Sequence, residues 1–362
     1  MKLLGDLISI IKGEKSFQVY STPIEGSMRY IQIEDLRSDM VLKYAVSNAG
    51  PIAQKSDLLI AWDGANAGTV GYGLVGYVGS TIAILRPKLE FHTPFLGFFL
   101  QSKFSDIQSH CTGATIPHVN KDHLLSLEIP LPPLEEQRRI ADLLARADRL
   151  RRLRRHALQL SNTFLQSLFL QMFGNDSGYD AVSFKDVIKI DRIKASEDEQ
   201  KTLPYIGLEH IEKQTGRLTS EFCNQPQAML ATNYRFTRDH VLYGKLRPYL
   251  NKVIVPEFDG VCTTEILPLL PRKGKIEKYF LWIYLRSNKF VDWASGNVAG
   301  ANLPRLSPEL LNEHVLKLPP YQHQVRFSEF VSGIHRTMKK EEESSRQSEQ
   351  LFQTLLHRAF AG

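Results

Sequence analysis

The stretch KLRPYLNK, residues 245–252, gathers Lys245, Arg247, Tyr249, Asn251 and Lys252 into one strand and turn. Cations of this kind neutralise phosphates, while amides, guanidiniums and aromatic faces meet base edges. The chemistry that fits is recognition of a polyanion with readable edges; the same residues also suit an ordinary basic hairpin. An equivalent place earlier in the chain, AWDGANAGTVGY at 61–72, offers Trp62, Asp63, Asn66, Thr69 and Tyr72 with no cation. A second pair of matched loops is TGATIPHVNK (112–121) and NVAGANLPRLS (297–307), where Thr115, His118 and Asn120 correspond to Asn302, Arg305 and Ser307. These loops end their segments beside a helix, so they either face a ligand or brace the fold. Arg29 and Arg192 are further phosphate candidates.

Catalytic chemistry is hard to find. Transfer of a methyl group to an adenine amine needs an Asp or Asn ahead of a Pro-Pro-aromatic turn, and LPPY at 318–321 has Leu318 there, which cannot accept the hydrogen bond. The glycine-rich run at 64–79 lies between strand-like runs and reads as a tight turn, not as a loop opening a helix around a cofactor. No P-loop lysine motif occurs. The acidic-x-Lys pattern EQK (199–201), with Asp191 before it, lies in a polar run that reads as a surface loop. His110, His118 and His123 cluster near Cys111 at spacings that fit no common metal site. The expectation is a chain with no catalytic residue, no metal and no cofactor of its own.

Composition is consistent with this. The chain has 362 residues, 43% of them hydrophobic, enough for two domains with real cores. A formal charge of +6 allows an acidic partner such as nucleic acid without demanding one. Three cysteines without CxxC spacing argue against a disulfide framework. The N-terminus is a poor signal peptide and no run approaches a membrane span, so a cytoplasmic location with no membrane partner is expected.

The elements that position these residues come as two copies. An offset of 187 residues brings Gly113 onto Gly300, Pro117 onto Pro304, LPP at 131–133 onto LPP at 318–320, Gln137 onto Gln324, Arg139 onto Arg326 and Phe173 onto Phe360. Upstream the match continues with small slips. Short β-rich runs bounded by Gly, Pro, Asn and Asp alternate with apolar runs of helical spacing, which predicts mixed α and β modules with a helix packed on a curved sheet.

Each copy ends in a long helix. The first follows Pro132-Pro133 and carries Glu135 and Glu136 in its first turn, where carboxylates favour the helix dipole. Apolar residues recur every three or four positions: Ile140, Leu143, Ala147, Leu150, Leu153, Ala157, Leu160, Phe164 and Leu168. The second offers Phe327, Phe330, Ile334, Met338, then Leu351 or Phe352, Leu355 and Phe360. A stripe that long needs a partner helix, and the simplest partner is its own copy. Antiparallel pairing would set Arg149–Arg155 near Glu341–Glu349; both charge runs are otherwise solvated faces.

The sequence IPLPPLEEQRRIADLL (129–144), with GATIPHVNKDHLLSLEIPLPP before it and LFQTLLHRAF near the end, resembles the specificity subunits of type I restriction–modification systems. The resemblance spans essentially the whole chain. It implies an α+β fold of two pseudo-symmetric target recognition domains joined by two long helices that form an antiparallel coiled coil. The corresponding segments are a first target recognition domain at 1–133, a central helix at 134–174, a second target recognition domain at 175–320 and a C-terminal helix at 321–362. It further implies double-stranded DNA with a bipartite site, two methylation subunits and, in some systems, restriction subunits as partners. S-adenosylmethionine would then belong to the methylation subunit, and ATP and magnesium to the nuclease subunit. The same architecture also serves methylation-only or other phage-defence complexes without a nuclease. The second exit, KLPPYQHQVRF, lacks the acidic LEEQ pattern but keeps Gln324 and Arg326.

Overall fold

The computed structural model describes residues 1–16, 18–37, 41–46, 50–113, 115–175, 178–219, 221–226, 232–300 and 302–360. The chain divides into two compact units, one of Met1–Arg152 with Gln347–Gly362 and one of Leu153–Arg346.

In the first unit the order is β1 (Lys2–Leu3), α1 (Leu4–Leu7), β2 (Ile8–Lys12), β3 (Met28–Ile31), β4 (Tyr44–Ala45), β5 (Ile52–Ala53), β6 (Leu58–Ala61), β7 (Val70–Tyr72), β8 (Gly76–Val78), β9 (Ile82–Pro87), α2 (Thr93–Ser102), α3 (Phe104–Ser109), α4 (Lys121–Ser126), β10 (Glu128–Ile129) and the start of α5 (Leu134–Phe173). An antiparallel sheet runs β2-β9-β6-β7, a second runs β4-β3-β8-β5 with β3 and β8 parallel, and β1 pairs with β10. The second unit repeats this plan with β11 (Asp180–Ser183), α6 (Phe184–Val187), β12 (Ile188–Ile190), α7 (Glu197–Thr202), β13 (Tyr205–Ile206), β14 (Asn233–Phe236), β15 (Val241–Gly244), β16 (Val253–Ile254), β17 (Gly260–Thr263), β18 (Ile266–Pro271), α8 (Lys278–Leu285), α9 (Asn288–Gly296), α10 (Pro308–Glu313), β19 (Val315–Leu318) and α11 (Tyr321–Phe360). Its sheets run β12-β18-β15-β16 and β13-β17-β14, the latter with β13 and β17 parallel, and β11 pairs with β19. The internal repeat read from the residues is thus a repeat of topology.

The central strands β9 and β18 are apolar and fully buried over their first four residues, as strands between two packed layers must be. On the same sheets lie α2, against β6 and β7, and α8, against β15 and β16, both largely apolar and buried. In the first unit Leu58, Ile60, Leu85, Phe95 and Phe99 share a core with Ala141, Leu144, Phe352, Leu356 and Phe360. Helix residues therefore belong to the module cores, and each compact unit takes part of both long helices.

Gln137 and Gln324 show why the exit motif repeats. Gln137 is buried; its Oε1 accepts from the His92 N–H at 3.1 Å, just before α2, and its Nε2 donates to Pro132 O at 2.9 Å. Gln324 does the same with the Glu277 N–H at 3.1 Å, just before α8, and with Pro319 O at 2.8 Å. One amide satisfies a free helix-start N–H and an exit-loop carbonyl at once.

The long helices pair antiparallel within each unit, because rising numbers on one meet falling numbers on the other. In the first unit Arg151 bonds Glu349 at 2.8 Å and lies over the Phe352 ring at 4.0 Å, while Ala141 and Leu144 share the core with Leu356 and Phe360. In the second unit Arg154 donates to Ser344 O, Phe164 meets Phe330 at 6.4 Å between ring centres, and Phe173 meets Phe327 at 5.2 Å. The basic and acidic runs do face each other, through Arg151 and Arg154 at least.

The buried row on these helices is displaced from the stripe expected. Leu143, Leu150, Leu153, Phe164, Phe330 and Leu351 are 40–56% exposed, and Ala157 is exposed too. The inward row on α5 is Gln137, Ala141, Leu144, Asp148, Arg151, Leu158, Leu165, Phe169 and Phe173, and on α11 it includes Phe327, Val331, Met338, Phe352 and Leu356. Ala147 and Met338 are buried, while Ile140, Leu168, Ile334 and Leu355 are half-buried at its edge. Polar Asp148 and Arg151 occupy inward positions and answer each other at 2.7 Å, which removes the apolar signal from the true row.

Candidate nucleic-acid interface

In each unit the fold brings the two candidate loops together. In the first, Gly64 N–H donates to Pro117 O at 2.8 Å and Val119 N–H to Trp62 O at 2.9 Å. In the second, Arg247 N–H donates to Pro304 O at 2.7 Å and Leu306 N–H to Lys245 O at 3.0 Å. Thr112 and His118 exchange backbone bonds at 2.9 and 2.7 Å across a turn holding Gly113 at φ +96°, as Ala299 and Arg305 do at 3.0 and 2.9 Å around Gly300 at φ +97°. That conformation is why both copies keep glycine there.

Side chains at this matched place differ. In the first unit His118 Nδ1 meets Asp63 Oδ1 at 2.6 Å, and Arg37 donates to Asn66 Oδ1 at 2.6 Å and Thr69 Oγ1 at 3.3 Å. Lys12 holds its ammonium 5.1 Å from the centre of the Trp62 ring. Arg37 and Lys12 give this loop the cations that its own sequence lacks. Local spacing could not reveal them, because they arrive from distant segments. Thr115 is exposed.

In the second unit Arg247 and Tyr249 project outward, Lys245 is half-buried, and Arg305 is held by Glu265 at 3.0 Å with its guanidinium partly exposed. Asn302 is exposed. The turn Pro248–Leu250 is flanked by Arg247 at φ +51° and Asn251 at φ +49°, left-handed on both sides without glycine. Such conformations cost free energy and persist only where surrounding bonds dictate them.

Other candidates have partners within the fold. Trp62 is buried in the core. Asn120 caps α4, accepting from the N–H groups of Asp122 and His123 at 3.1 Å. Tyr72 packs edge-on to Phe98 at 6.4 Å yet is 38% exposed, and burial of its hydroxyl, then Asp148 of α5, push its pKa up. Lys252 donates to Leu208 O at 2.6 Å, and burial pushes its pKa down. Asn251 donates to Arg286 O at 3.1 Å. Arg29 pairs with Asp35 at 2.7 Å, while Arg192 stays half-exposed, 4.0 Å from Glu309.

The EQK run is a helix, not a loop: Ser196 and Glu199 form a capping box on α7, and Glu199 pairs with Arg235 at 3.2 Å. Among the described residues, Asp106, His110 and His123 form a cluster with metal-ligand atoms within 4.8 Å of one another. The two imidazoles stack at 3.8 Å with planes 15° apart, so no single ion lies in both ring planes in this arrangement. No described helix is long and apolar enough to cross a membrane.

Residues 1–160 match a family described as the type I restriction modification DNA specificity domain. Two relatives extend the likeness over both modules. The type I restriction enzyme MjaVIII specificity subunit of Methanocaldococcus jannaschii is 25% identical, covering 98% of this chain and 90% of its own. The EcoDI specificity subunit of Escherichia coli is 25% identical over 82% of this chain and 76% of its own. The crystal structure of a type I S subunit from M. genitalium shares the fold, with a TM-score of 0.61 at 17% identity, covering 99% of this chain and 95% of that one. Over both modules the chain is thus similar to specificity subunits of type I restriction–modification systems.

Proposed function

We propose that each module reads one half of a split site on duplex DNA and that the paired helices fix the distance between the two readings. The observation that carries this reading is the matched pair of loops. One backbone plan presents His118, Asp63, Asn66 and Arg37 in the first module, but Arg305, Glu265, Arg247 and Tyr249 in the second. Equal scaffolds with unequal donors and acceptors suit two half-sites of different sequence, since each base pair presents its own pattern in the major groove. Cations at both places supply sequence-independent attraction to phosphates.

The helices add two roles. As rods at ~1.5 Å per residue they hold a fixed length, so half-sites about one duplex turn, ~34–36 Å, apart are expected. The exposed apolar side chains Leu143 and Leu150 in the first unit, and Leu153, Leu160 and Phe164 in the second, give methylation subunits a surface to dock on. S-adenosylmethionine chemistry, and ATP and magnesium where a nuclease joins, belong to those partners, and this chain is non-catalytic.

The test is selection of bound duplexes from a random library by the chain assembled with its methylation subunits. Two short blocks of fixed sequence at one constant spacing are expected. A single uninterrupted block, or enrichment without sequence, would refute the reading.

A further inference from the structure

Arg286, at the end of α8, is 2% exposed, yet its guanidinium meets only neutral acceptors. It donates to Asn162 Oδ1 on α5 and to Gln214 O at 3.2 Å, and lies over the Trp282 ring at 4.8 Å. Its Nε and Nη1 make no hydrogen bond among the described residues. A buried charge without a carboxylate partner is a poor route to stability, so its retention calls for another account.

That account is on the neighbouring backbone. The Gln214 N–H donates to Leu250 O at 3.1 Å and Asn251 O at 3.3 Å, while Asn251 Nδ2 donates to Arg286 O at 3.1 Å. Asn162 Nδ2 also donates to Gln214 O at 3.3 Å. Gly216 (φ +71°) leaves room for this packing, because a Cβ there would stand 2.8 Å from Arg286 Cζ. Arg286 thus joins the spacer helix, through Asn162, to the left-handed turn that carries Arg247 and Tyr249. Where LQSKF (100–104) matches LRSNKF (285–290), the first module has Gln101 in place of Arg286, so the device belongs to the second alone.

We propose that Arg286 is a positioning residue for DNA reading by the second module: it locks the 247–251 turn to α5 and so fixes the angle at which Arg247 and Tyr249 meet the duplex. This rests on the reading given above for that turn. The experiment uses the full chain in its assembled methylation complex, with Arg286→Met and, separately, Asn162→Ala. Methionine keeps much of the buried volume and removes the uncompensated charge, so folding should survive.

Two readouts are taken. Hydrogen exchange at the Gln214, Leu250 and Asn251 amides should quicken about tenfold while the β15 amides keep their protection. Discrimination at the second half-site should fall about tenfold, the scale of one misaligned base contact, with the first half-site unchanged. Wild-type protection of the turn, or an equal loss at both half-sites, would overturn the proposal. If the wild-type complex discriminates at neither half-site, the DNA reading itself fails, while the exchange data still decide whether Arg286 holds the turn.

Discussion

Replacing Phe169 with alanine is expected to destabilise the second unit by about 3–5 kcal/mol. Phe169 is 6% exposed and sits among aromatic rings contributed by both long helices and the module. Its ring centre lies 5.4 Å from Phe173, 5.4 Å from Phe280, 6.4 Å from Tyr284 and 5.7 Å from Phe327. Such a site cannot collapse around a missing ring, because its neighbours are stiff and belong to different elements. Truncation therefore costs both the transfer of the ring and a cavity. Calorimetry should show the transition of this unit lowered by about 10 °C. A shift of under about 2 °C would show that the helix and the module do not share one core there.

Arg247→Ala should carry the largest effect on binding. Arg247 is exposed on a turn that is left-handed on both sides, with Lys245 and Tyr249 near it in sequence. If its guanidinium bonds a guanine edge, specific affinity falls by about 1–3 kcal/mol and preference relaxes at one base pair. If it meets phosphate, binding weakens evenly and the salt dependence loses about one unit of slope. Titration of duplexes at two salt concentrations separates these outcomes. Unchanged affinity at both would remove Arg247 from the interface.

Much of the fold was legible because the chain repeats itself. Gly113 and Gly300, Gln137 and Gln324, and the two Pro-Pro exits each mark a backbone requirement that both copies share, and a fixed offset exposes such positions at once. The helix seam was less legible. Leu143 and Leu144 are adjacent, so spacing alone does not say which faces inward, and inward Asp148 and Arg151 disguise the row that does. At the candidate interface, residue type did not separate open positions from braced ones: Asn66 is bonded by Arg37 while Asn120 caps a helix, and Lys252 donates to Leu208 O while Lys245 is half-buried. Arg37 and Arg286 were invisible because their partners come from segments far away in the chain.

The central claim is that two like-folded heads read unlike half-sites independently. The most direct measurement exchanges residues 1–133 for the matching segment of another specificity subunit and repeats the library selection in the assembled complex. The account predicts that one half-site changes to the donor's, while the other half-site and the spacing stay as they were. A change in both half-sites, or in neither, would contradict it.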